Sequence, residues 1–185
     1  GPGPGQDEVR HADGRVGEVR ALIDTALAYP QPKTGVPGVV VDMLGVGLWP
    51  GRLMVTAARE FRAHGFDEAA EENLKRAVDW YTTQPPPHGS VETHRFELAR
   101  VLYDARNWSV AEEMFRSLAT DDPRNFIYLG FLGKIAARRG DTTAARQVLA
   151  QFDSIKPTLA RPHAIAGYWQ SKISALLGDE ARAMR

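Results

Sequence analysis

Pro123 and Pro157 stand 34 residues apart, and the small and apolar residues around them keep the same interval. Leu98 is matched by Leu132, Ala99 by Gly133, Leu102 by Ala136, Ala111 by Ala145, Phe115 by Leu149 and Leu118 by Phe152. A fixed interval of this length constrains the fold more than any composition does. Each unit is one supersecondary element that cannot bury its apolar face alone, and stacked neighbours complete a shared core. Fold and function class are therefore set together, because a stack of helix pairs is a surface for holding something.

The order of helices follows from apolar periodicity and from the residues that interrupt it. Val19, Leu22, Ile23, Ala26 and Leu27 recur at intervals of three and four, which predicts a helix over 16–28. Tyr29-Pro30-Gln31-Pro32 ends it, since the residue before a proline is pushed out of the helical region. Residues 30–50 read as an irregular apolar connector, with a short strand at Val39–Val41 or a short helix from Val40 to Leu48 as the two alternatives. From Arg52 onward only helices are expected: 53–63, 68–81, 91–105, 109–118, 124–138, 142–152 and 162–177. Asp67 and Asp141 are expected to cap helices, Ser109 with Glu112 to form a capping box, and Gly65 and Gly140 to stop helices. Most connections are a few residues long, so successive helices should be antiparallel neighbours.

The paired residues resemble the tetratricopeptide repeat, a 34-residue helix pair with alternating small and large apolar residues and a proline near its end. The leucine-then-small pair is Leu98-Ala99 and Leu132-Gly133, the small residue of the second helix is Ala111 and Ala145, the bulky one is Phe115 and Leu149, and the closing prolines are Pro123 and Pro157. An earlier unit carries Ala57-Ala58, Phe61, Gly65, Ala70, Leu74 and Ala77, 41 residues before its successor, and a last unit runs from Ala166-Gly167 to Gly178-Asp179. The resemblance covers 51–185. It implies an all-α fold, a right-handed α-solenoid of antiparallel helix pairs in three to four units, preceded by an N-terminal helix and an irregular apolar connector. The expected organisation is a flexible lead or cloning remnant at 1–15, a cap or interaction segment at 16–50, and the repeat domain at 51–185. Arg185 falls a few residues into the last second helix, so either the chain continues in a longer protein or another chain covers that end.

In this family the first helices of successive units line a concave groove, so the resemblance implies which residues face a partner. Arg59, Arg100, Lys134 and Tyr168 fall in one column of the repeat. Arg62 and Tyr103 fall in a second, and Arg138 and Lys172 one residue beyond it. The implied groove is basic and aromatic and suits an acidic or C-terminal peptide, because carboxylates bind guanidinium forks well. Charge reversal of Arg100 with Lys134 is expected to abolish such binding without altering melting. The alternative is that these cations pair with nearby acids such as Glu60, Glu97 and Asp104. A second candidate surface is the connector, whose Val39, Val40, Val41, Leu44, Leu48 and Trp49 would support head-to-tail stacking of copies into a homo-oligomer or filament.

Composition narrows the remaining classes. Basic and acidic side chains number 23 each, so the net charge is zero and the basic excess of a general nucleic-acid binder is lacking. Val36–Trp49 is shorter than the roughly 20 apolar residues of a membrane span, and it holds Pro37, Asp42 and three glycines. There is no cysteine, and His11, His64, His88, His94 and His163 form no metal-binding pair at helical spacing. No phosphate loop, dinucleotide glycine pattern or nucleophile elbow occurs. The expectation is a non-catalytic protein- or peptide-binding scaffold with no metal and no cofactor.

Overall fold

The computed structural model describes residues 14, 16–25, 28, 40–41, 47–48, 50–84, 91–154 and 160–184. Most of the lead and of the 30–50 connector lie outside the described residues, including Val39, Leu44 and Trp49. Helix α1 covers 16–25. Strands β1 (Val40–Val41) and β2 (Gly47–Leu48) pair antiparallel, with Val40 opposite Leu48 and Val41 opposite Gly47. Of the two conformations expected here, the strand is the one adopted. Eight helices follow: α2 (Pro50–Ala63), α3 (Asp67–Thr83), α4 (Val91–Asp104), α5 (Trp108–Asp121), α6 (Phe126–Arg138), α7 (Thr142–Asp153), α8 (Ala160–Leu176) and α9 (Glu180–Ala183). The chain forms two compact units, 1–105 and 106–185.

A left-handed residue marks the turn after the first helix of each pair. Gly65 has φ 80°, Arg106 62°, Gly140 78° and Gly178 75°. Without a Cβ, glycine adopts this region freely, which is why it holds three of the four places. At each of those three turns two backbone bonds close the helix. At Gly140, its N–H donates to Ala137 O and the Asp141 N–H to Ala136 O (2.9 Å); Gly65 with Phe66, and Gly178 with Asp179, repeat the pattern. The residue after the left-handed one is then the N-cap. Asp141 Oδ1 accepts from the Ala144 N–H (2.9 Å) and Asp179 Oδ1 from the Arg182 N–H (3.0 Å).

Two expected caps are displaced by this geometry. Phe66, not Asp67, occupies the N-cap of α3, and Asp67 joins Glu68 in the first turn, where negative charge suits the positive helix end. Asn107 is the N-cap of α5, so Ser109 lies inside the helix and forms no capping box. Glu112 instead binds Arg116 and Arg139.

In the first unit, Met54, Val55, Ala58 and Phe61 of α2 meet Ala70, Leu74, Ala77 and Tyr81 of α3 in one core, joined by Val101 of α4 and Ile23 of α1. Helix α1 is further tied to α3 by the Arg20–Glu72 and Asp24–Arg76 ion pairs. Its Ile23 is buried while its Leu22 stays 68% exposed. In the second unit, Phe115 of α5 stacks on Phe131 of α6 with centroids 4.5 Å apart, and Phe131 meets Trp169 of α8 at 5.0 Å. Gly130 and Gly133 make that approach possible, since a Cβ at either would overlap Trp169 or Ile173. Ala70, Ala111 and Ala145, the small residues of the second helices, are all fully buried, as close helix pairing requires.

Candidate binding face

The left-handed turns supply a register that is independent of sequence matching. Counting six residues back from each turn gives Arg59, Arg100, Lys134 and Lys172. All four are cations. The sequence alignment placed Tyr168 fourth because it matched Ala166-Gly167 to Leu132-Gly133. Helix α8 has 17 residues against 13 in α6, so its extra turn shifts Lys172 into that place. Counting back from Gly178-Asp179 was the available signal.

In the first unit the column meets carboxylates. Arg59 Nη2 donates to Asp104 Oδ2 at 2.7 Å, and Arg62 Nη1 donates to the Asp104 carbonyl oxygen at 3.4 Å. Arg100 Nη1 lies 3.0 Å from Glu97 Oε1, with Arg52 Nε at 3.8 Å from the same oxygen. Glu97 is buried, and those two guanidiniums are the cations placed against its carboxylate. Beside it, burial pushes the Tyr81 hydroxyl well above the usual phenol range, and the Glu97 charge adds to that while Arg52 and Arg100 oppose it. His94 is buried on α4, its Nε2 2.7 Å from the Tyr81 carbonyl oxygen and its ring packed against Trp80 and Tyr81. Tyr103 is also buried. Charge reversal at Arg100 would therefore place two carboxylates together in a buried setting, and unchanged melting is no longer expected.

In the second unit the column meets aromatic rings. Lys134 Nζ lies 5.3 Å from the Phe131 ring centre and 5.7 Å from that of Trp169, while Lys172 Nζ lies 5.6 Å from Tyr168. Contacts of this length are attractive, by about 0.5–2 kcal/mol according to how dry they are. Tyr168 and Trp169 meet edge to face at 5.3 Å, so both lysines border one aromatic platform on α6 and α8. Tyr168 is 56% exposed, Lys172 is exposed and Arg138 is exposed at the end of α6. The structure thus gathers Lys134, Tyr168 and Lys172 on one face. Phe131 and Trp169 complete it and were not singled out in the sequence, although 38 residues, the interval of the last two turns, separate them.

The alternation of short helices, the buried alanines and the glycine turns repeat through the chain. Residues 96–160 match the tetratricopeptide repeat family. This tetratricopeptide segment runs from within α4 to the first residue of α8. No curated protein and no solved structure matches the chain. Tetratricopeptide repeats generally mediate protein–protein interaction. Among the described residues no helix is long and apolar enough to cross a membrane, and no cluster of histidine and acidic side chains could hold a metal ion.

Proposed function

We propose that this chain is a protein-binding module, and that the unit 106–185 offers Lys134, Tyr168 and Lys172 to an acidic segment of a partner protein. The observation that carries this reading is the exposed Lys172 beside the half-open Tyr168 ring, with Lys134 next to it on the same aromatic platform. The exposed Lys172 ammonium beside the Tyr168 ring keeps its charge while its stem covers apolar surface, so a carboxylate can approach it. Arg59 and Arg100, engaged with Asp104 and Glu97, hold the first unit together in this reading, and Arg138 adds positive charge at the end of α6.

The test is fluorescence anisotropy of a labelled hexa-aspartate peptide with the intact chain and with the double variant Lys134→Glu, Lys172→Glu. Binding should fall by at least about tenfold in the variant and weaken with added salt. Equal affinity in the two proteins would sink the reading. A second reading has copies stack through the connector, where Val40–Val41 pairs with Gly47–Leu48 in a two-stranded ladder, an arrangement to which a strand of another copy can add. Light scattering that reports a monomer across a wide concentration range would remove it.

A further inference from the structure

We infer that the second unit carries another docking site, on the side of α6 away from Lys134, and that its occupant is an extended peptide pairing apolar residues with an acidic one. Leu129, Leu132 and Ala136 recur at helical spacing on one stripe of α6, while Lys134 lies on the other. All three are half-buried, and they floor a groove of about 400 Å³ between α5 and α7. Glu112 and Arg116 of α5 form one wall, Gln147, Val148 and Gln151 of α7 the other, and Arg139 with Asp141 closes an end. The site is distinct from the basic face and does not depend on it.

The dimensions suit an extended chain. From Leu129 to Ala136 the helix rises about 10 Å, the reach of roughly three extended residues. Gln147 and Gln151 are one turn apart on α7, both exposed, so their Cβ atoms lie about 6 Å from each other. Same-side groups of an extended peptide repeat at about 6.6 Å, so the two side chains can reach successive main-chain groups on one edge of such a peptide. Alternate side chains would then enter the apolar floor.

The exposed guanidiniums of the rim favour an occupant that carries a carboxylate. The Glu112 carboxylate already accepts from Arg116 Nε (3.1 Å) and Nη2 and from Arg139 Nη1 (2.7 Å), and Asp141 Oδ1 caps α7. Both guanidiniums keep further N–H groups, and their side chains are 67% and 47% exposed. The two exposed guanidiniums therefore have donors to offer to a ligand that brings acceptors. Main-chain carbonyls and one carboxylate meet that need.

The experiment uses the full chain, labelled with nitrogen-15, and an acetylated, amidated peptide alternating leucine with aspartate over six residues. The side-chain amide resonances of Gln147 and Gln151 should shift on titration. In the variant Gln147→Ala, Gln151→Ala, which changes only exposed side chains, affinity should drop about tenfold. The leucine–asparagine peptide should bind several-fold more weakly than the aspartate one, and the Gln147 and Gln151 resonances should still shift with the aspartate peptide in the Lys134→Glu, Lys172→Glu variant. The inference is overturned by still resonances at Gln147 and Gln151 up to millimolar peptide, or by equal affinity in the glutamine variant. Equal binding of the asparagine peptide overturns the acidic class. Loss confined to the lysine variant assigns the peptide to the basic face and removes this groove, a result that leaves the proposed function standing.

Discussion

Arg106 is the one described residue other than glycine that has a left-handed backbone, and its place is held by glycine in the other three turns. A Cβ in that region crowds the following carbonyl oxygen, at a cost of about 1–2 kcal/mol, which the looser unfolded state of glycine partly offsets. Arg106→Gly should therefore raise stability by about 0.5–1 kcal/mol, a gain of a few degrees in Tm by calorimetry. Gly140→Ala should do the opposite by about 1 kcal/mol. A lower Tm in Arg106→Gly would mean that the arginine side chain contributes more than its backbone costs. The sequence hid this site because the repeat was aligned on apolar and small residues, and an arginine there looks like any surface charge.

Helix α4 shows how an element can carry charge inward. Its buried Glu97 is held by Arg100 from one turn ahead and by Arg52 from α2, next to the buried Tyr81 of α3. Removing a guanidinium leaves a carboxylate without its compensation, and reversing it adds a like charge. Arg100→Glu should cost on the order of 2–3 kcal/mol in urea unfolding, whereas the half-exposed Arg59 should cost under about 1 kcal/mol when changed to serine. Similar losses in the two variants would argue against a special role for Glu97. Helix existence and order were legible from periodicity, including the longer first helix of the last unit. Helix starts were less so. The cap is fixed by where the chain leaves the left-handed turn, and polar side chains such as Asp67 and Ser109 nearby mimic a cap without sitting at one.

At the scale of the whole chain, net charge is zero, yet the two compact units treat the same column of cations differently. Carboxylates meet it in 1–105, where Arg100 also lies over the Phe96 ring, and aromatic rings meet it in 106–185. The repeat architecture could be read from spacing because burial at Ala111, Ala145, Phe115 and Leu149 follows the 34-residue interval. The face could be read only in part. Which cation finds an acid depends on neighbours such as Asp104 that belong to no repeated pattern. The indole beneath Lys134 gives the molecule a built-in optical gauge. A ligand that draws the ammonium away from Trp169 will alter its emission without any dye attached, and Trp169→Phe will silence that change while the ligand still binds.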